Sequence, residues 1–239
     1  FTTIGTAGVV FAHSDRVTID PQGRVHTFCS AVPGALPVMS CTLAAGLSLK
    51  WLRDEFFTEE MKTAEGMGVD PYFLMDQQAG RVPIGANRLI FLPYLMGERS
   101  PLLDENSRGV FFGLSAIHTK YDLLRAVMEG VTYSQRQCLD VLRGMGVVST
   151  EMLSCGGGGS SPLWRQMLAD VYGCPVKTVV SKEGPALGAA ILAGVGAGLY
   201  PNVQEACRGM IQTNPAQQPD AQASEQYERF YQVYQSLYP

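Results

Sequence analysis

Four consecutive glycines at positions 156–159, called the 156–159 loop below, separate two segments of regular structure. The preceding residues, 151–155, predict a short β-strand. The residues that follow repeat with helical spacing: Leu163, Trp164, Met167, Leu168 and Val171. Ordering four glycines costs more conformational entropy than a bare turn requires. A strand–glycine–helix junction therefore predicts a place where a flat or charged ligand can approach the backbone; the alternative is a flexible loop.

The residues after the 156–159 loop are those of a helix N-terminus. Ser161 suits the N-cap position and Pro162 suits the first helical turn. A helix N-terminus favours anions, because its free N–H groups and its dipole present positive charge. The loop does not match the dinucleotide fingerprint G-x-G-x-x-G in its usual context, nor a P-loop, since no Gly-Lys-Ser/Thr follows.

A second glycine-rich segment, called the 5–8 turn below, lies near the start of the chain. Residues 1–4 and 9–12 are β-branched, aromatic or apolar and predict two strands, which Gly5-Thr6-Ala7-Gly8 joins. Several backbone N–H groups of such a turn could point at one anion, with the Thr6 hydroxyl as an additional donor. This is the geometry of a phosphate cradle; the alternative is a plain hairpin turn.

The rest of the chain predicts a mixture of strands and helices. The clearest helix covers 121–143, where six mostly apolar residues recur at spacings of three and four: Leu124, Met128, Val131, Gln135, Cys138 and Leu142. Another helix is expected to begin near Cys41 or Thr42, and Gly46 inside it suggests the close approach of a backbone or a ligand. Further strands are expected at 25–30, 38–41, 89–95 and 176–180, further helices at 72–79, 186–197 and 227–237, and loops in the remainder of 58–87 and at 214–223.

The composition argues against two classes of partner. Of 239 residues, 46% are hydrophobic and 17% charged. The net charge is −4, and Lys and Arg do not cluster on any segment in a way that would suit a nucleic-acid backbone. No apolar run approaches the ~20 residues that span a bilayer, and the first residues do not form a signal peptide. We therefore expect no nucleic-acid or membrane partner and a cytoplasmic location. Six cysteines without a C-x-x-C pair and three scattered histidines suggest buried thiols in a reducing compartment, with neither a disulfide framework nor a metal site.

Five sequence blocks resemble, in their order, the signatures of one enzyme family. They are FLPYLMGERSP at 91–101, GVFFGL at 109–114, LRAVMEGV at 124–131, WRQMLADV at 164–171 and GPALGAA at 184–190. Together they are similar to the FGGY carbohydrate kinases over nearly the whole chain. The xylulokinase branch is the most similar, and gluconate, glycerol and other sugar kinases share many of the blocks.

The resemblance implies an α/β fold: an actin-like ATPase (ribonuclease-H-like) domain with a mixed sheet flanked by helices. Residues 1–239 would form the C-terminal nucleotide-binding domain, and the sugar-binding N-terminal half would lie outside this chain. The implied activity is transfer of the γ-phosphate of ATP, with Mg²⁺, to a hydroxyl of a pentulose, most closely D-xylulose to D-xylulose 5-phosphate.

The resemblance also implies an ATP site. Thr6 would contact the β- and γ-phosphates, although the family more often has Ser where Ala7 stands. Gly46 and Lys50 would line the nucleotide, and Ser161 would hydrogen-bond the adenine. The complete set of expected ATP-binding residues is Gly5, Thr6, Ala7, Gly8, Gly46, Lys50, Gly156, Gly157, Gly158 and Ser161.

In such kinases the catalytic Asp lies in a Gly-Asp-Asn segment shortly before the phosphate turn, and no residue of this chain precedes Phe1 to supply it. Asp15 and Asp20 follow the turn instead. Because phosphoryl transfer needs both substrates in line, the isolated chain is expected to bind nucleotide without turnover, and no catalytic residue or metal ligand is assigned in it. Glu98 and Arg99 are expected to form a structural ion pair.

Two functions of different classes stay open. The chain is half of an ATP-dependent sugar kinase for xylulose, gluconate, glycerol or ribulose, or it is a non-enzymatic actin-like nucleotide-binding module whose nucleotide state controls assembly. The expected partners are a small-molecule sugar, a nucleotide and the chain's own N-terminal domain, with a homodimer as a further possibility.

Overall fold

The computed structural model describes residues 1–181 and 184–238. Its strands are β1 (Thr2–Ile4), β2 (Gly8–Ala12), β3 (His26–Thr27), β4 (Val38–Thr42), β5 (Ile90–Leu92), β6 (Val110–Phe112), β7 (Met152–Cys155) and β8 (Val176–Lys177). Its α-helices are α1 (Gly46–Phe56), α2 (Thr58–Met67), α3 (Pro71–Ala79), α4 (Lys120–Gly144), α5 (Pro162–Tyr172), α6 (Gly184–Gly196), α7 (Val203–Met210) and α8 (Ala221–Ser236).

Six strands form one mixed sheet in the order β3-β4-β2-β1-β7-β8, and β5 and β6 pair separately. β2 is antiparallel to both β1 and β4, whereas β7 is parallel to both β1 and β8. Thr3 lies opposite Cys155 in the register of β1 and β7. The carboxyl ends of these two strands therefore lie at the same edge of the sheet, and each runs directly into a glycine-rich segment. The mixed sheet and its helices confirm the expected α/β class.

Helix α4 lies at the centre of the core. A capping box begins it: the amide of Thr119 donates to Asp122 Oδ2 over 2.7 Å, which satisfies one of the free donors at a helix start. The helix packs against β4, β5, α1 and α5. Several of its apolar side chains are fully buried: Leu124, Val127, Val131 and Leu142. The helix expected over 121–143 is confirmed.

A buried ion pair on α4 joins other parts of the chain to this helix. Arg125 Nε donates to Glu129 Oε1 over 2.7 Å, and both side chains are almost inaccessible to solvent. Glu129 also accepts from the amide of Gly85 at 3.1 Å, while Arg125 donates to the carbonyl of Ala79 at 3.3 Å and to the Tyr227 hydroxyl at 2.5 Å. Removing one partner would leave a buried charge unpaired, which costs about 3–5 kcal/mol.

The start of α1 differs from the sequence expectation. Cys41 and Thr42 belong to β4, where they lie opposite Val9 and Gly8 of β2, and the helix begins only at Gly46. The predicted start is wrong because pairing with β2 takes up these two residues, although the apolar spacing further along the chain is indeed that of a helix.

Helices α2 and α8 replace parts of segments that were expected to be loops. Helix α2 buries only Ala64, so it carries almost no hydrophobic periodicity. Helix α8 begins at Ala221, inside the expected 214–223 loop, and Asp220 caps it by accepting from the amide of Ala223 at 2.8 Å. Strands β3 and β8 are shorter than expected, with two residues each.

Two further features bear on the expectations from composition. Within residues 1–181 and 184–238, no helix combines the length and the apolarity that crossing a bilayer requires. All six cysteines are free thiols. Cys29 is exposed, so the expectation of buried thiols is wrong at that residue.

Candidate nucleotide site

The 5–8 turn connects β1 to β2, and the first turn of α1 holds it by backbone hydrogen bonds. The carbonyl of Gly5 accepts from the amide of Gly46 at 2.7 Å. The carbonyl of Thr6 accepts from the amides of Ala45 and Leu47 at 3.0 and 3.1 Å. These bonds satisfy N–H groups that a helix N-terminus otherwise leaves free. The start of α1 thus serves to hold the turn.

The same hydrogen bonds orient the amides of the 5–8 turn. In a trans peptide the carbonyl and the following N–H point in opposite directions. The peptide bonds of the 5–8 turn are trans, since the one cis bond among the described residues joins Ser100 and Pro101. Because the carbonyls of Gly5 and Thr6 point at α1, the amides of Thr6 and Ala7 point away from it. Neither amide donates to another described residue, and Thr6 is exposed. The turn therefore leaves two amides and an exposed hydroxyl available, as a phosphate cradle would require.

Gly8 and Gly46 are needed for the close packing around the 5–8 turn. A β-carbon on Gly46 would lie 2.5 Å from the carbonyl oxygen of Gly5, and one on Gly8 would lie 2.7 Å from Thr42 Cγ2. Gly46 thus admits a neighbouring backbone, one of the two explanations that the sequence suggested. Lys50 lies one turn further along α1, where it is exposed and its Nζ donates to Asp54 at 2.7 Å.

The 156–159 loop follows β7 at the same edge of the sheet. Gly156 has a φ of +78°, and a β-carbon on it would lie 2.8 Å from the carbonyl oxygen of Ile4. A β-carbon on Gly158 would lie 2.5 Å from Ile4 Cγ2, whereas one on Gly157 would meet nothing within 4 Å. Gly156 and Gly158 therefore let the loop pack on β1, whereas the space around Gly157 is open.

Ser161 is the N-cap of α5, as the sequence predicted, and Pro162 is the first residue of that helix. The Ser161 Oγ accepts from the amide of Trp164 at 3.0 Å, and Asp76 of α3 is close enough for Ser161 and Arg165 to influence its pKa. Burial raises the pKa of Asp76, while the Ser161 hydroxyl and the Arg165 guanidinium act in the opposite direction.

Glu98 is buried beneath the corner between β4 and α1. Its carboxylate accepts from the Thr42 hydroxyl, from the amide of Leu43 at 2.9 Å and from the amide of Arg99 at 2.7 Å. Burial raises the pKa of Glu98. No salt bridge to Arg99 forms among the described residues, so the expected ion pair is wrong. The carboxylate points inward to backbone donors, and Thr42, which it holds, packs against Gly8.

The residues of this site do not fit a metal ion by themselves. Among residues 1–181 and 184–238, no group of three or more His, Cys, Asp or Glu side chains is placed to hold one. The 5–8 turn offers two amide donors and one hydroxyl, which suit anionic oxygens, whereas Mg²⁺ takes six oxygen ligands, only one of which the side chains of this turn could supply. The donors of the 5–8 turn therefore suit the phosphates of a nucleotide and not a metal ion.

Comparison with known proteins relates this site to a family. The C-terminal domain of the FGGY family of carbohydrate kinases matches residues 1–197. The chain is 36% identical over 236 residues to the xylulose kinase of Staphylococcus epidermidis, which covers 99% of this chain and 46% of that protein. It is 38% identical over 206 residues to the gluconokinase of Bacillus subtilis, with 83% and 38% covered. The chain thus spans about half the length, or less, of these curated relatives.

Solved structures share the fold. The ligand-bound xylulose kinase of Lactobacillus acidophilus superposes with a TM-score of 0.87 at 26% identity, and that of Rhodospirillum rubrum with 0.85 at 31%. Both alignments cover 99% of this chain and 46% of the other. The expected actin-like ATPase fold, with a mixed sheet flanked by helices, is confirmed. The family match, the sequence relatives and the superpositions agree, and the chain belongs to the FGGY family of carbohydrate kinases.

Proposed function

We propose that this chain is the ATP-binding, C-terminal half of a cytoplasmic sugar kinase that phosphorylates a pentulose, converting D-xylulose to D-xylulose 5-phosphate. The observation that carries the proposal is the orientation of the 5–8 turn. Its carbonyls bond to α1, so the amides of Thr6 and Ala7 are free to bind phosphate oxygens. The xylulose kinases among its relatives support the choice of sugar.

Each glycine segment binds one end of ATP in this proposal. The Thr6 and Ala7 amides and the Thr6 hydroxyl bind the β- and γ-phosphates. The open face at Gly157 accepts adenosine, beside Ser161 at the start of α5. Donors that α1 already holds in place need no reorganisation as negative charge shifts during phosphoryl transfer, which is the source of their catalytic effect. Mg²⁺ accompanies the nucleotide as the counterion of its phosphates.

The proposal assigns the sugar site and the proton-accepting Asp to an N-terminal half, in line with relatives that are about twice as long as this chain. In-line transfer requires both halves, because the sugar hydroxyl must lie against the γ-phosphate while its proton is removed. By itself this chain binds ATP and does not turn it over.

Calorimetric titration of the purified chain with ATP and Mg²⁺ tests the nucleotide site. We expect saturable binding, with no phosphorylation of D-xylulose above the background rate. A folded chain that binds neither ATP nor ADP would overturn the proposal, and so would D-xylulose phosphorylation by the chain alone.

A gluconate kinase is the second candidate, because the Bacillus subtilis gluconokinase is 38% identical over the part of the chain that it matches. A substrate panel of D-xylulose, D-ribulose, gluconate and glycerol, applied to the protein that contains both halves, separates the sugars. We expect the highest kcat/KM with D-xylulose. Nucleotide-dependent assembly without sugar phosphorylation would instead identify a non-enzymatic actin-like module.

A further inference from the structure

Three donors hold the buried carboxylate of Glu98 at the point where the chain leaves β4 for α1. The residue is 3% exposed. Its Oε2 accepts from the hydroxyl of Thr42, and its Oε1 accepts from the amides of Leu43 at 2.9 Å and Arg99 at 2.7 Å. Thr42 is the last residue of β4, and Leu43 is the first residue of the connection to α1. One carboxylate thus fixes both the end of the strand and the start of the connection.

The Thr42 side chain is held from two directions. Ser134 Oγ on α4 donates to Thr42 Oγ1 over 3.0 Å, and Thr42 Oγ1 in turn donates to Glu98. Thr42 and Ser134 are completely buried. Because a β-branched side chain has few rotamers, these two hydrogen bonds leave Thr42 a single orientation.

This orientation places Thr42 against the 5–8 turn. Thr42 lies opposite Gly8 in the register of β4 and β2, and its Cγ2 would lie 2.7 Å from a β-carbon on Gly8. Gly8 is the last residue of the turn. The side chain that Glu98 holds therefore supports one end of the turn directly.

The bond from Leu43 leads to the same turn through the backbone. Three residues further along the chain, the amide of Gly46 donates to the carbonyl of Gly5, and its two neighbours in sequence donate to the carbonyl of Thr6. These bonds direct the amides of Thr6 and Ala7 away from α1. A shift of the connection between β4 and α1 would therefore change where both amides point.

We propose that Glu98 is a positioning residue for the phosphate donors of the 5–8 turn, and that it acts through Thr42 and Leu43 without contacting the nucleotide. The inference rests on the proposed function, because it requires the β- and γ-phosphates to bind at this turn. Donors stabilise developing charge best when the surrounding structure holds them in place beforehand. Glu98 supplies that support from beneath the turn.

Two competing roles for Glu98 make different predictions. A role in folding alone predicts that its loss lowers stability without changing the preference between nucleotides. A direct electrostatic role predicts tighter ATP binding after its loss, since a negative charge repels phosphates. The preference between a nucleotide with β- and γ-phosphates and one without them distinguishes all three roles.

The test is calorimetric titration of the purified chain with ATP and Mg²⁺ and with AMP, which has the same base and ribose but lacks the β- and γ-phosphates. Glu98→Gln keeps the size of the side chain, but its NH₂ group must face one of the three donors, so at least one present hydrogen bond is lost. We expect ATP affinity to fall about ten-fold, the usual effect of losing a hydrogen bond to a charged group. AMP affinity should stay within about two-fold of wild type.

Thr42→Val tests whether the effect passes through Thr42. Valine keeps the branched shape beside Gly8 and removes the hydroxyl, so ATP affinity should fall in preference to AMP affinity here as well. Because both substitutions break the same hydrogen bond, the double variant should bind ATP no more than about two-fold more weakly than the weaker single variant. Fully additive losses would overturn the assigned route.

Glu60→Gln is the matched control. Glu60 is also a largely buried glutamate, which accepts from the Tyr121 hydroxyl at 3.0 Å and pairs with Lys120 at 2.6 Å. It lies on α2, beyond the end of α1 that is far from the 5–8 turn. The control should keep the wild-type ratio of ATP to AMP affinity. Circular dichroism and thermal unfolding verify that each variant is folded.

Several outcomes would overturn the inference. One is an unchanged ratio of ATP to AMP affinity in folded Glu98→Gln; another is tighter ATP binding by that variant. If Glu98→Gln does not fold, Thr42→Val is judged by the same ratio, and failure of both to fold would assign Glu98 to folding and not to the phosphates. A wild-type chain that binds ATP no more tightly than AMP contradicts the proposed function as well, whereas a wild-type preference for ATP that survives Glu98→Gln contradicts the positioning role alone.

Discussion

The backbone amide of Gly46 donates to the carbonyl of Gly5 over 2.7 Å, and a β-carbon on Gly46 would lie 2.5 Å from that same oxygen. Any other residue at position 46 would therefore push α1 away from the 5–8 turn. Because these contacts also direct the amides of Thr6 and Ala7 outward, the packing of α1 and the proposed binding of phosphate depend on one set of hydrogen bonds.

Gly46→Ala is expected to lower the stability of the chain by about 1–3 kcal/mol, as overpacking does, and to weaken ATP binding at least about ten-fold through the displaced amides. Gly66→Ala on α2 is the control, because a β-carbon there meets nothing within 4 Å and alanine should stabilise that helix by about 0.5–1 kcal/mol. Urea unfolding and ATP titration measure both quantities. Normal ATP affinity in a stable Gly46→Ala chain would contradict the coupling.

Thr6→Ala separates a phosphate cradle from a plain hairpin. Thr6 is exposed, so the substitution should change the stability of the chain by less than ~0.5 kcal/mol. Its hydroxyl is the sole side-chain donor of the 5–8 turn, and a hydrogen bond to a charged oxygen contributes ~1.5–3 kcal/mol. In the protein with both halves, kcat/KM for ATP should therefore fall roughly ten-fold to a hundred-fold. Thr63→Ala, which removes an exposed hydroxyl on α2, should leave it unchanged. A near-normal value in Thr6→Ala would make the turn a hairpin.

Gly157→Val should weaken ATP binding, whereas Gly158→Val should lower the stability of the fold. Position 157 has ordinary helical dihedral angles and open space around it, so valine should leave the fold intact and occupy the place of adenosine. ATP binding should weaken far more than sugar binding. Position 158 packs on Ile4, and valine there should cost about 1–3 kcal/mol of stability. Thermal unfolding and titration with both substrates distinguish them. Wild-type ATP affinity in a folded Gly157→Val protein would show that adenosine binds elsewhere.

Asp20 should make the stability of the chain depend on acidic pH. Arg24 binds its carboxylate through Nε at 2.8 Å and Nη2 at 2.9 Å, and this pair holds the pKa of Asp20 well below its ordinary value. A depressed pKa in the folded state contributes stability above the unfolded pKa of about 3.9, and that stability is lost as the pH falls further. Asp20→Asn should therefore cost about 1–2 kcal/mol at pH 7 and progressively less below pH 4.

Urea unfolding at pH 7, 5 and 3 measures this difference. Asp15→Asn is the control, since Asp15 is exposed and contacts only the exposed His13 among the described residues, and it should change stability by less than ~0.5 kcal/mol. A cost of Asp20→Asn that is the same at all three pH values would show that the Arg24 pair does not depend on the charge of Asp20.

The sequence predicted the local features of the site and missed those that depend on tertiary packing. The sequence correctly predicted that both glycine segments lie at the ends of strands and that Ser161 caps α5. These features were predictable because turn chemistry and capping are encoded within a few neighbouring residues. Glu98 had no such signal. Its carboxylate accepts from the hydroxyl of Thr42 and from the amide of Leu43, which are far away in the chain.

Ile4 lies between the two glycine segments as well as in the core. It is the last residue of β1 and directly precedes the 5–8 turn, and both Gly156 and Gly158 pack against it. One residue within the sheet therefore sets the spacing between the two ends of the site. The length of ligand that can bridge them is fixed by the sheet itself. Exchange of loop residues can alter which groups the proposed site recognises, whereas the distance between the two glycine segments follows from the pairing of β1 with β7.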